Sequence, residues 1–488
     1  GIRDPLWSRG LGDVYKRQTF IKKVMNRRSF LKSLGVNSAT AGALAGNSYS
    51  GLIQKPHTSP RAKNVIFLFM CGGASHLETF DYKPALQKYN GKLASQIFTK
   101  EELDGFNPEK SFENSRILPP VFNFKQHGES GAWVSEIYPK LSTVVDDICF
   151  IKSVQTDSAI HSVGETLMHT GHGRPGFPSL GSWVTYGLGS QSRTLPPYVV
   201  MKDGLSTAGD VVFQQGMLPG RHRASVAKAE HNSPPFPYLK SESNFSNNDQ
   251  RHRLDKLQLL NKIHEKKYGG QPALSDRMQS LEMAYKLQES APDVFDLNNE
   301  PKSIRKLYGD NLFSRHCLTA RRLIESGVRF VEILDGAEGR KWDAHGNRGG
   351  LIGNHRSNAA RTDQGITALI VDLKSRGLLD ETLIVWATEF GRTPFEEERK
   401  KKSELGRGHH HKGFTLWMAG GGVKGGTSFG ETDELGMHAV KNPVSFHDFH
   451  ATILYLLGLD HEQLTFRHNS RDVRLTDVFG NIIHDIIT

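Results

Sequence analysis

Several side chains that bind metal ions fall at similar places in the chain. Trp342-Asp343-Ala344-His345-Gly346-Asn347 sets a carboxylate and an imidazole two residues apart, and Glu389-Phe390-Gly391-Arg392 joins a carboxylate to a guanidinium. His409-His410-His411 offers a run of imidazoles, and His76, Glu78, Asp81, Asp157, His161 and His450 add donors elsewhere. A mixture of imidazole and carboxylate suits zinc, manganese or iron, whereas an oxygen-only set suits magnesium or calcium, so a divalent zinc or manganese ion is expected. Asp343, His345, Glu389 and His409 form the leading ligand set, with His410, His450, His76, Glu78 and Asp81 as further candidates. Arg392 fits an anion clamp, because guanidinium offers a planar fork to phosphate or sulfate; an ion pair with Glu389 alone is the other reading. A solvated loop is likewise the competing reading of His409 to His411.

The elements that must position these residues are legible as hydrophobic pattern. Asn64 to Met70 is a short apolar run closed by Gly72-Gly73, read as a strand buried on both faces, and similar runs recur at 148–154, 197–201, 328–334, 383–387 and 414–418. Helical patterns lie between them, as at Ile366 to Arg376 before Gly377 and His447 to Leu457 before Gly458. Strands alternating with helices predict a three-layer α/β/α fold with a mostly parallel central sheet. In such a sheet ligands gather at the carboxyl ends of the strands, and the candidate donors follow predicted strands. About 206–303 is polar, with helical patterns at 251–267 and 274–287, and is expected to be an inserted cover over the sheet edge. Gly420 to Gly426 reads as a turn after a strand with Lys424 facing the site.

Composition excludes other classes. The net charge of +10 resides in residues 1–63, which hold 12 Lys/Arg against Asp4 and Asp13; the remaining 50 basic and 50 acidic residues balance, so a nucleic-acid partner is not expected. Cys71, Cys149 and Cys317 are too few for a disulfide framework. No stretch approaches the roughly 20 apolar residues of a membrane span, so stable insertion after signal cleavage is not expected. A G-x-x-x-x-G-K-[ST] loop, a G-x-S-x-G elbow and an H-E-x-x-H pair are all missing.

Asn26-Arg27-Arg28-Ser29-Phe30-Leu31-Lys32 resembles the twin-arginine export signal, followed by a weakly apolar stretch ending in Ala43-Leu44-Ala45. This implies a signal over 25–45, use of the twin-arginine export machinery and a periplasmic or extracellular location. Residues 1–24 resemble a translated linker and are read as a non-native extension. The mature domain is expected over 64–488.

From Asn64 onward the chain resembles the bacterial family called domain of unknown function 1501, grouped with alkaline phosphatases and sulfatases. Gly72-Gly73-Ala74-Ser75-His76, Thr79-Phe80-Asp81, Met168-His169-Thr170-Gly171, Glu389 to Pro394, Met418 to Gly426 and His447 to Thr452 carry the resemblance. It implies an alkaline phosphatase-like fold and metal-dependent hydrolysis of a sulfate or phosphate ester, of a small molecule or a glycan. The sulfatase spacing counted back from Thr170-Gly171 puts the nucleophile at His161, which has no hydroxyl. Ser158 and Ser162 flank it as substitutes, and a metal-activated water is the third option. The usual Asp-His pair after the fourth strand is Glu389-Phe390 here, and Gly408 replaces an acidic residue. The alternative is a non-catalytic periplasmic protein that binds anions or glycans on the same scaffold.

Overall fold

A computed structural model of the chain describes residues 55–488 except 105–111, 228–235, 237–246, 337–340, 347–349 and 398–403. The chain divides into a unit over Gly1–Gly51, which lies outside the described residues and holds the stretch expected as an export signal, and a second over Leu52–Thr488. Of the loop expected over Ser241 to Asn248, residues 241–246 also lie outside them, as does the basic run Arg399 to Lys402, expected as a solvated loop, while Asn247 and Asn248 open a helix instead.

The second unit is built on a nine-stranded sheet. Its strands are β1 Asn64–Met70, β2 Ile148–Gln155, β3 Tyr198–Gly204, β4 Ser225–Ala227, β5 Phe330–Gly336, β6 Thr382–Ala387, β9 Phe414–Ala419, β10 Thr427–Phe429 and β11 Val444–Ser445. The order is β10-β2-β9-β6-β1-β5-β3-β4, with β11 beside β2. Two further strands, β7 Gly391–Glu396 and β8 Arg407–His410, pair with each other as a separate antiparallel ribbon. All pairings in the large sheet are parallel except those of β9, which runs against both β2 and β6. The expected α/β/α fold with a mostly parallel sheet is the fold observed.

Every residue of β1 and β6 is buried, as apolar runs in a doubly covered sheet require. The pleat sends Ile66, Leu68 and Met70 into one core and Val65, Phe67 and Phe69 into the other. Helices α5 Leu312–Glu325 and α6 Gly350–Ser375 cover the first face; α1 His161–Thr170, α2 Leu180–Leu188 and α7 Phe446–Leu456 cover the second. The start of α7 is set by a reciprocal cap between Ser445 and Asp448, and its end by Gly458 at φ 77°.

The polar segment expected as a cover contributes to the sheet as well, since its Ser225–Ala227 forms the edge strand β4. Its two long helices are α3 Asn247–Tyr268 and α4 Pro272–Phe295. Leu287 and Ala291 of α4 join the first core.

One polar group interrupts the core. Glu332 in the middle of β5 is 1% exposed and accepts from Tyr198 Oη at 2.7 Å, with His169 Nε2 at 2.8 Å. Burial disfavours an imidazolium at His169, but the Glu332 carboxylate outweighs it and raises the imidazole above its usual range. The charge contribution of this pair is therefore fully present below the unfolded imidazole value of about 6.5 and fades as pH rises through the higher folded value. In thermal melts, wild type should exceed Glu332→Gln in stability near neutrality, and the gap should narrow as the buffer becomes alkaline. Glu332→Ala, which strands a buried histidine, should cost about 3–5 kcal/mol.

Candidate metal centre

The carboxyl ends of β1, β2, β5 and β6 share one edge of the sheet, and four donors meet there. His161 opens α1 after β2, Asp343 and His345 follow β5, and His409 lies on β8. Because β9 is antiparallel, the residues just before it, not after it, reach this edge; that is how His409 arrives. The ribbon register sets His409 opposite Arg392, and an isolated bridge ties His345 to Gly406.

One ligand atom from each of His161, Asp343, His345 and His409 lies within 4.8 Å of all the others. Asp343 Oδ1 is the hub, 2.6 Å from His345 Nε2, 3.2 Å from His409 Nε2 and 3.3 Å from His161 Nε2. His345 Nε2 and His409 Nε2 are 2.8 Å apart. The far side of each imidazole is held: His161 Nδ1 by Glu389 Oε1 at 2.6 Å, His345 Nδ1 by Glu397 Oε2 at 2.5 Å and His409 Nδ1 by the Ala159 carbonyl at 2.7 Å. An acceptor at Nδ1 fixes the proton there and leaves the Nε2 lone pair facing the centre, the usual preparation of a histidine for a metal. His161 Nε2 is buried and makes no hydrogen bond. Nitrogen-rich donors, outer acceptors and this orphaned nitrogen together fit a divalent transition metal.

Electrostatics match this arrangement. Burial opposes the Asp343 carboxylate, but Arg392 and the three imidazoles hold it far below the usual carboxylate range. Burial disfavours an imidazolium at His161, but the nearby Asp343 and Glu389 carboxylates outweigh it and raise the ring to about 9. Burial pushes His409 down to about 3, so it presents a neutral ring. Glu389, although buried, is kept ionised by His161.

The other expected residues stand elsewhere. Glu389 is no member of the cluster; its carboxylate takes the His161 ring, the Gly72 amide at 2.8 Å and the Thr388 hydroxyl at 3.2 Å. Arg392 is fully buried and is a strut, not a free clamp: it donates to the Gly72, Gly73 and Arg407 carbonyls and to Asp343 Oδ1 at 2.7 Å. Glu78 pairs with buried Arg407 at 2.7 Å, and Asp81 takes the Thr432 hydroxyl and Lys83. His76, His410 and His450 are spent on the carbonyls of Gly436, Met437 and Met168. Among the described residues, no hydrogen bond joins the Ser158 or Ser162 hydroxyl to the cluster; Ser158 Oγ accepts from the Ile160 amide. Lys424 lies at the opposite edge, bonded to the Asp485 carbonyl, because antiparallel β9 carries its glycine-rich turn to the amino ends of the strands.

Glu397 and the Ala159 carbonyl were not singled out by sequence. Glu397 sits within Glu396 to Glu398, three carboxylates with nothing to distinguish them, and a carbonyl leaves no trace in residue type.

The fold and site thus define an open α/β protein with a three-histidine, one-aspartate constellation that could hold a metal ion at the carboxyl edge of its sheet. The chain belongs to the family described as protein of unknown function DUF1501, which matches residues 62–487. No curated protein matches it in sequence. Similar solved structures include Ps i-CgsB in complex with k-i-k-neocarrahexaose, at 10% identity and TM-score 0.34 over 81% of this chain and 72% of that one. The lipoteichoic acid synthase LtaP from Listeria monocytogenes is similar at 9% identity and TM-score 0.36, over 86% and 76%. Alkaline phosphatase from the Antarctic bacterium TAB5 is similar at 11% identity and TM-score 0.29, over 78% and 96%.

Removing an outer acceptor should loosen the centre without unfolding it. Glu397→Gln is expected to weaken zinc or manganese binding about 10- to 100-fold in competition with a chromophoric chelator. His450→Gln, which alters only a carbonyl contact, should leave affinity and stoichiometry unchanged.

Proposed function

We propose that this protein is an exported metal-dependent hydrolase of phosphate or sulfate esters, acting on a small molecule or a glycan, with zinc or manganese in its centre. The convergence of His161, Asp343, His345 and His409 on one point of the sheet edge carries this reading. His161, His345 and His409 supply nitrogen, Asp343 supplies charge, and Glu389 and Glu397 hold the rings in register. A bound divalent ion would supply Lewis acidity, lowering the pKa of water to roughly 7 and offsetting charge on an ester oxygen. Three imidazoles and one carboxylate fill the four positions zinc usually offers, so an open position calls for zinc expanding to five ligands or for manganese. Phe390 packs its ring 4.8 Å from that of His161 and 4.6 Å from that of His409, which shields this side of the centre from solvent.

With Arg392 fully engaged, the anion has another seat. Helix α1 begins at His161 without a side-chain cap, and the free amides of such a helix start attract an ester anion beside the metal ligands. Because position 161 carries an imidazole, water is the nucleophile in this scheme.

Protein purified without an affinity tag should carry metal and hydrolyse 4-nitrophenyl phosphate or 4-nitrophenyl sulfate. Chelation should abolish turnover, zinc or manganese should restore it, and Asp343→Asn should lower it by more than about 100-fold. Absence of both metal and turnover ends the proposal. The position of His161, where the resemblance to sulfatases puts a nucleophile, favours a second reading as a non-catalytic anion- or glycan-binding protein. Under that reading Asp343→Asn retains ligand binding and wild type turns nothing over.

Export rests on Asn26 to Lys32 and Ala43-Leu44-Ala45. The periplasmic protein should begin near Gly46 by N-terminal sequencing; a start well before residue 40 removes this part.

A further inference from the structure

We infer that the outward face of α3 docks this protein on an anionic lipid surface. The inner face of the helix is occupied: Leu254 is buried, and Arg251 and Gln258 reach Glu282 of α4 at 2.8 and 3.1 Å. On the other side, Lys256, Leu259, Leu260, Ile263 and Lys267 recur at helical spacing, with Lys266 alongside. Leu259, Leu260 and Ile263 are 44%, 48% and 46% exposed, and the lysines beside them are exposed too.

Single exposed apolar residues need no explanation, but here they are concentrated. Of 14 large hydrophobic residues exposed among the described ones, five belong to this helix, and three of them, Leu259, Leu260 and Ile263, share the outward stripe. From Arg253 to Lys267 one carboxylate, Asp255, borders the outward stripe a turn before Leu259, where it pairs with Arg251 at 2.8 Å; Glu265 falls on the side of Leu254. Asp249 shares the outward side but precedes Arg253 by a full turn.

Aliphatic side chains interleaved with lysines, with their one bordering acid paired to Arg251, complement a surface that is apolar a few ångströms below a negative layer, which is the interface of an anionic bilayer. A second copy of this chain would set lysine against lysine. A sulfated polysaccharide would use the lysines and leave the leucines in water. No helix among the described residues is long and apolar enough to cross a membrane, so α3 lies on the surface instead of entering it.

Flotation of the full chain with vesicles of phosphatidylglycerol and phosphatidylcholine in a one-to-three ratio tests the inference and is independent of turnover. Wild type should bind these vesicles, lose binding at high salt, and ignore vesicles of phosphatidylcholine alone. Leu259→Asp with Ile263→Asp, both at exposed sites, should weaken binding at least about tenfold with an unchanged melting midpoint. Lys256→Gln with Lys266→Gln and Lys267→Gln should weaken it and flatten the salt dependence. Equal binding to neutral vesicles, or undiminished binding by the double aspartate variant, overturns the inference. So does a wild type that binds heparin but not the anionic vesicles, or a dimer in light scattering that the same aspartates dissolve.

Discussion

Four segments of chain meet on one carboxylate oxygen. Asp343 Oδ1 faces Arg392 from beneath and the imidazoles of His161, His345 and His409 from the sides. The Arg392 guanidinium and the His161 ring, raised to about 9, both carry positive charge, so the ionised carboxylate between them holds the site together before any cation enters. Arg392 can stand fully buried under it because its other donors end on carbonyls of the β1 loop and of β8. A buried guanidinium with each of these contacts in place is tolerable; one stripped of Asp343 would carry an uncompensated charge. The β1 loop must also pass close by. A Cβ on Gly72, at φ +109°, would come within 2.7 Å of the Trp342 and Asp343 amides.

Around that hub, the acidic residues divide by what they touch. Glu389 and Glu397 act through the rings they orient, while Glu78 neutralises Arg407, whose carbonyl in turn receives Arg392. The chain of contacts runs from the short helix at His76–Thr79 through Arg407 and Arg392 to Asp343. Carboxylates that look like ligands in a linear reading thus serve as the scaffold that places one carboxylate at the centre of the cluster.

The same sheet both collects and separates. Parallel strands deliver their following loops to a single edge, and the one reversed strand, β9, delivers its preceding residues instead. His409 joins the centre for this reason, and Lys424 leaves for the far edge. The polar segment that extends the sheet at β4 also carries the α3 and α4 pair, and among the described residues none covers the outer face of α3.

Hydrophobic pattern by itself determined the layers and six of the nine strands, because burial on two faces leaves continuous apolar runs; the short edge strands β4, β10 and β11 carry no such run and were not legible. Residue type near the strand ends marked Asp343, His345 and His409 as donors, and the resemblance to sulfatases marked His161 as the departure from a hydroxyl nucleophile. Only the tertiary structure decided that His161 turns its ring into the cluster, that Glu389 stands behind it, and that Glu397 and a backbone carbonyl hold the other two rings. Residue type states what a side chain is able to bind, but hydrogen bonds are directional and short, so which partner it takes depends on placements of a few tenths of an ångström. Strand direction is equally silent in the local pattern: an apolar run reads the same in either orientation, and only its neighbours in the sheet settle which end meets the site.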